Sequence, residues 1–227
     1  MTCVNLLQSN KFTEKRIAYI ALCILFDEKS EVLLLTSNTI KKDLESSNQY
    51  IVAVALNTIG EVCTADLCRD LSVEVGKLMS SPNPYIKKKA ALGATRIIKK
   101  CPELLETFAD RLGSYFEDKN HGVLICGISL AIQVFRQDPA YIEKYRKYLN
   151  GIVININLMH ILILILLKIK YLRNLVSTNY APEYDINGVT DPFLQVKFLE
   201  ILQYFGRNNA DASEEMNDIL ASVIIST

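Results

Sequence analysis

The sequence predicts an all-α chain, a superhelix of stacked helical hairpins. Three observations carry that prediction. Apolar and small residues recur in steps of three and four, the periodicity of one helix face. The same pattern returns at a spacing of roughly 35 to 40 residues. Short turn-forming stretches, SSPNPY at 80–85 and EDKNHG at 117–122, separate the periodic runs.

The units are taken in chain order. KRIAYIALCILFDEKSEVLLLTSNTI, residues 15–40, offers Ile17, Ala21 and Leu25 as its inward positions. QYIVAVALNTIGEVCTADLCRDL, residues 49–71, offers Ile51, Ala55 and Ile59. YIKKKAALGATRIIKKCPELLETF, residues 85–108, overlays HGVLICGISLAIQVFRQDPAYIEKY, residues 121–145, at a shift of 37. Ile86 then falls on Val123, Ala90 on Gly127, Ala94 on Ala131 and Pro102 on Pro139. The last unit places Phe193, Lys197, Ile201 and Phe205 70 residues after Val123, Gly127, Ala131 and Phe135. Ala55, Ala90, Ala94, Gly127, Ala131 and Ile201 are the expected packing positions between repeats. Small side chains there let neighbouring helices approach closely. The prolines end one helix and open the next, where a missing N–H costs least.

A hairpin of this kind cannot bury its apolar face alone, so it stacks on its neighbours. The period, without a tetratricopeptide or ankyrin turn pattern, points to HEAT or armadillo repeats. Residues 1–227 read as a single array. A four-helix bundle would not need five similar units, and period-two alternation is confined to short runs. Residues 178–192, TNYAPEYDINGVTDP, read as a long connection.

The stretch 151–169, GIVININLMHILILILLKI, interrupts the pattern. Its unbroken apolar run, Ile161–Leu167, falls short of the roughly 20 residues that a membrane span needs. The wider stretch also carries Asn155, Asn157, His160 and Lys168. A buried helix or an inserted segment is expected over about 153–169 rather than a span.

Composition limits the function classes. Half of the residues are apolar and 22% are charged, which is a folding composition. Basic and acidic residues balance at 25 each, so no global field draws in nucleic acid. The six cysteines form no CxxC pair and sit mostly in apolar runs, which implies buried thiols in a reducing compartment. Cys63 and Cys68 have no histidine beside them, which argues against a zinc site. No HExxH, GxSxG or GK[ST] motif occurs. His121 reads as a solvated or capping residue in the turn NHG. Glu214 and Glu215 read as first-turn carboxylates favoured by the helix dipole. Neither an enzyme nor a cofactor is expected.

The densest charge cluster is Lys87, Lys88, Lys89, Arg96, Lys99 and Lys100. It reads as a solvated helix face, or as a patch for an acidic protein surface or acidic lipid headgroups. The first three lysines cover most of a turn and cannot all face one way.

Several long strings resemble the gamma-adaptin family of clathrin-adaptor large subunits. They are DPFLQVKFLEILQYFGRNNADASEEMNDILA, KKKAALGATRIIKKCPELLETF, EDKNHGVL, NYAPEYDINGVTDPF and FTEKRIAYIALCILFDE. They occur in the family's order and cover nearly the whole chain. The resemblance implies a non-catalytic scaffold in a heterotetramer with a small sigma subunit, a beta-adaptin and a medium mu subunit. It also implies binding to an Arf-family GTPase, indirect contact with clathrin and peripheral attachment to trans-Golgi and endosome membranes from the cytoplasm. It implies a trunk piece without the remaining trunk, hinge and appendage. The family joins segments like YRKYL and LRNLVSTNY almost directly, so residues 153–169 read as extra sequence: a retained intron translated from AT-rich sequence, since Ile, Asn, Leu and Lys dominate, or else a lineage insertion that extends a helix. The competing reading is a helical-repeat scaffold of another assembly.

Overall fold

The structure is a computed structural model. It describes residues 2–27, 30, 32–62, 64–116, 118–151, 182–187 and 189–207, with isolated positions at 210, 213, 214, 217 and 221. The apolar stretch 153–169 lies outside the described residues. So do His160, Cys63 and Glu215, and most of the C-terminal segment beyond residue 207.

The described chain is helical apart from one small hairpin. By internal contacts it divides into two compact units, residues 1–114 and 115–227. In the first unit, α1 (Thr2–Leu7), α2 (Phe12–Leu25), α3 (Val32–Leu44), α4 (Gln49–Val62), α5 (Ala65–Met79) and α6 (Pro84–Lys100) form successive pairs. A 3-10 turn at Pro102–Leu104 and α7 (Leu105–Ala109) close that series, and α8 (Gly113–Phe116) spans the junction. Helices α2, α4 and α6 form one layer, since α2 packs on α4 and α4 on α6. Helices α3, α5 and α7 form another, with α3 packed on α5 and α5 on α7.

The second unit contains α9 (His121–Gln137), α10 (Ala140–Gly151) and α11 (Pro192–Gly206). A 3-10 turn at Pro182–Tyr184 leads into antiparallel strands β1 (Asp185–Ile186) and β2 (Val189–Thr190) ahead of α11. The segment read as a long connection therefore holds a hairpin. Its signal was the Asn187–Gly188 pair, the commonest two-residue hairpin turn, and Asn187 has the positive φ of 54° that such a turn requires.

Capping side chains fix where α4, α6, α9 and α11 begin. Asn83 accepts a hydrogen bond from the Tyr85 N–H and Asn120 from the Val123 N–H. Asn48 accepts from the Tyr50 N–H at 2.9 Å. Asp191 accepts from the Leu194 N–H. Each of these oxygens satisfies an orphan donor of a first turn. Two residues before three of the caps, Ser46, Ser81 and Asp118 accept from the cap's own N–H. The result is a Ser/Asp-x-Asn box that recurs through the repeats.

Counting from these caps, and in α2 from Lys11, the residue before its first turn, gives the register of the repeats. The seventh residue after the cap is Ala18, Ala55, Ala90 and Gly127 in α2, α4, α6 and α9, and all four are buried. The eleventh is Leu22, Ile59, Ala94 and Ala131, again all buried. The inward positions expected for α2 must therefore be corrected. Ile17 and Leu25 are 61% and 66% exposed, and the buried residues are Lys15, Ala18, Tyr19 and Leu22. Apolar periodicity could not choose, because α2 is apolar on opposite faces. Phe193 must be corrected likewise. It is 67% exposed, and Leu194 takes the buried position in the first turn of α11.

The α1–α2–α3 junction is held by a buried ion pair. The Lys15 ammonium lies 2.8 Å from both oxygens of Asp43 and donates to the carbonyl of Leu7 at 2.6 Å. Leu7 ends α1, so the cation also meets the negative end of that helix. The Tyr19 hydroxyl donates to Asp43 at 2.7 Å. Every member of this cluster has a partner, as a buried polar network requires.

Burial, and then the charge of Asp43, hold the Tyr19 phenol protonated far above its usual range. Below pH about 10 the proton is present in both states and adds no slope. Above it, the unfolded chain releases the proton and the folded chain keeps it. Stability then falls by up to about 1.4 kcal/mol per pH unit from this group. Tyr19→Phe removes that component, so urea unfolding across alkaline pH should show a shallower decline than in the parent chain.

Candidate interaction surface

The lysine-rich cluster lies on α6, whose sequence PYIKKKAALGATRIIKK contains no acidic residue. Its buried face is made of Ala90, Ala91, Gly93, Ala94, Ile97 and Ile98. A Cβ on Gly93 would stand 3.7 Å from the Leu56 carbonyl oxygen, so α6 runs close along α4. With that face fixed, helical periodicity turns Tyr85, Lys88, Lys89, Leu92, Arg96 and Lys99 outward.

The six cations differ in their surroundings. Lys87 leans away from the others and donates to the Ser114 carbonyl at 3.0 Å. Lys88, Lys89 and Lys100 are half-buried, and Lys99 is exposed. Arg96 is exposed and stands 3.7 Å from Glu61 of α4. Lys88, Lys89, Arg96 and Lys99 thus share one outward surface, which Lys100 borders, while Lys87 lies apart from it toward Ser114.

The positions expected to pack the repeats are placed as follows. Ala55, Ala90, Ala94 and Ala131 are fully buried, Gly127 is buried, and Ile201 is 5% exposed. Gly127 meets a close neighbour, since a Cβ there would collide with the Cβ of Tyr115. Tyr115 is itself fully buried, so only glycine fits without displacing it.

His121 is not solvated, as its place in the turn NHG suggested. It is the first residue of α9, it is 6% exposed, and its Nδ1 lies 2.6 Å from Asp191. Asp191, 4% exposed, is the cap of α11, so one carboxylate serves both contacts. The imidazole stacks on Tyr184 with ring centroids 4.3 Å apart. The Asp191 N–H donates to the Tyr184 carbonyl. Asp191 holds a left-handed backbone with φ of 46°, a strain that a short polar side chain tolerates best. The pair joins two helix starts to the hairpin. Sequence reading missed it because the partners are 70 residues apart.

Among the described residues, no cluster of three or more His, Cys, Asp or Glu could hold a metal ion. Cys68, Cys101 and Cys126 are buried. Burial pushes the Cys101 thiol up from its ordinary value, which lowers its reactivity. Among the described residues, no helix is long and apolar enough to cross a membrane. A separate cleft of about 590 Å3 in the second unit has Phe135 and Ile142 on its walls. Arg136 borders it, already engaged by the Tyr204 hydroxyl at 2.8 Å and by Glu200 at 3.1 Å.

Comparisons with known proteins agree with the helical repeat. The sequence matches the family described as "Adaptin N terminal region" over residues 1–225. It is 43% identical over 225 residues to the AP-1 complex subunit gamma-1 of Mycosarcoma maydis, covering 99% of this chain and 24% of that protein. It is 40% identical to the AP-1 complex subunit gamma of Dictyostelium discoideum, covering all of this chain and 24% of that one. The chain thus spans about a quarter of the length of these relatives. Among solved structures, a homology model of the full-length AP-3 complex in an intermediate open conformation matches with a TM-score of 0.58. Its sequence identity is 18%, over 98% of this chain and 47% of that one. The designed armadillo repeat protein YIII(Dq)4CqI matches with a TM-score of 0.56 at 13% identity, over 96% and 87%. At such identities the likeness bears on fold alone, which is the HEAT/armadillo type of α-solenoid.

The shared carboxylate of Asp191 gives a test of the His121 joint. Asp191→Ala removes a cap and the carboxylate contact of a buried imidazole, and should cost roughly 2–4 kcal/mol in denaturant unfolding. Asp191→Asn keeps a capping oxygen and should cost less. Equal losses in the two variants would show that the cap contributes nothing.

Proposed function

The chain belongs to the adaptin family, and on that premise we propose that it acts as a non-catalytic scaffold piece of a clathrin adaptor of the AP-1 kind. The observation that carries the reading is homology to AP-1 gamma subunits along essentially the whole chain. The fold supports it, because stacked helical pairs present extended surfaces to other chains and need no enclosed reaction centre.

In this reading the chain embraces a small sigma subunit and contributes to a heterotetramer with a beta-adaptin and a mu subunit. An Arf-family GTPase in its GTP form recruits that assembly from the cytoplasm to trans-Golgi and endosome membranes, where clathrin joins indirectly. Several weak contacts acting together give reversible attachment, which suits a coat that must disassemble. The outward cations of α6 supply a patch for an acidic partner. The small residues Ala55, Ala90, Ala94, Gly127 and Ala131, with Ile201, keep the helices in the close packing that maintains these surfaces.

Co-purification tests the assignment. The chain, co-expressed with a sigma subunit, should be retained with it through size-exclusion chromatography. It should also bind GTP-loaded Arf more strongly than GDP-loaded Arf. A folded chain that binds neither would favour a scaffold role in a different assembly.

A further inference from the structure

The outward face of the α2–α4–α6 layer carries a polarity that the stacking does not use. Helix α2 buries Lys15, Ala18, Tyr19 and Leu22. On its opposite side Ile17, Ile20 and Ile24 are 61%, 47% and 74% exposed. Their steps of three and four place them in one line. Large aliphatic side chains scattered singly on a surface need no explanation, but an ordered stripe does. In the cap register, the matching outward positions of α4 are Val54, Asn57 and Glu61. Those of α6 are Lys89, Leu92 and Arg96, with Lys88 and Lys99 beside them.

The three helices therefore run from aliphatic, through nearly neutral, to basic. That this is one continuous face follows from contacts along both seams. Phe12, Tyr50 and Tyr85 form a row at the helix starts, with ring centroids 5.9 and 6.1 Å apart. Farther along, Cys23 meets Thr58, and Arg96 meets Glu61. Tyr50 and Tyr85 are 52% and 38% exposed, so the row stands as a rim along one edge.

We propose that this face docks an amphipathic helix of a partner protein that crosses the three helices, with an acidic first turn over α6 and an aliphatic last turn over α2. Charge complementarity selects the acidic end, since the outward cations of α6 outnumber the single facing carboxylate, Glu61, among the described residues. Length follows from packing. Neighbouring helices lie about 8–10 Å apart, so the crossing is roughly 20 Å, or about 13 helical residues. The polarity of the partner follows from its own dipole, which favours carboxylates in the first turn. A bilayer fits less well. It rewards an apolar strip flanked by cations across a single plane, whereas here aliphatic and basic groups are segregated to opposite ends with Asn57 and Glu61 between. This inference stands apart from the adaptor assignment, because it requires no sigma subunit or GTPase.

The test uses the full chain and a dye-labelled synthetic helix with glutamates in its first turn and leucines in its last, read by fluorescence anisotropy. Saturable binding is expected. Ile24→Ser, and separately Lys89→Glu with Lys99→Glu, should each weaken it about tenfold or more, as loss of a principal contact does. These residues are not in the buried core, and circular dichroism should confirm that each variant folds. A peptide with the two ends exchanged should bind about tenfold more weakly. Equal binding of the exchanged peptide overturns the proposal. So does co-sedimentation with phosphatidylserine vesicles that depends on Ile24 while the peptide is ignored. Self-association abolished by Ile24→Ser would instead assign the stripe to a second copy. Loss of peptide binding in these variants with sigma binding retained separates this site from the adaptor reading.

Discussion

The close approach of successive helices in the α2–α4–α6 layer is the constraint on which the rest of the first unit depends. Backbones that run this near cannot hold a large side chain between them. The chain meets that limit with a column of small residues at a fixed distance from each cap, at Ala18, Ala55 and Ala90. At Gly93 the approach can be read directly from the carbonyl of Leu56. In the second unit Gly127 occupies the same cap-relative position and accommodates Tyr115. There the requirement is stricter, because even one methyl group collides.

The surfaces follow from that packing. Once α6 commits its alanines and Gly93 to the seam, its lysines and Arg96 have only the opposite side to occupy. Once α2 commits Ala18 and Leu22, its three isoleucines must face outward. The same constraint thus makes the array and sets the chemistry of its outer face. The buried ion pair of Lys15 and Asp43 adds definition at the start of the chain. Such a pair adds little net stability against an apolar replacement, but it penalises any register that leaves a charge unpaired. The Lys41 ammonium, 3.0 Å from the buried Glu74, plays a related part between α3 and α5.

Much of this was legible in the sequence. The helical class, the repeat and the burial of Ala90, Ala94 and Ala131 all follow from steps of three and four at a constant spacing. The register of α2 was not, because Ile17, Ile20 and Ile24 imitate a core stripe. The Ser-x-Asn-x-Tyr signal that marks the starts of α4 and α6, in SSNQY and SPNPY, is missing before α2, where Lys11 stands at the cap position. The hairpin before α11 announced itself through Asn187–Gly188 and was passed over as part of a long loop. The His121–Asp191 joint left no local trace, because its two halves lie far apart in the chain and each reads alone as an ordinary cap. The arrangement of cations on α6 could be drawn on a helical wheel. Its alignment with the isoleucines of α2 needed the packing of α4 between them.

The central claim is that the column of small residues sets the spacing of the stack. Urea unfolding of the Ala90→Trp chain tests it most directly. The account predicts a loss of about 2–3 kcal/mol or outright failure to fold, because an indole has no room between helices that run this close. An unfolding midpoint equal to that of the parent chain would mean that residue 90 does not sit in a tight seam, and would contradict the account.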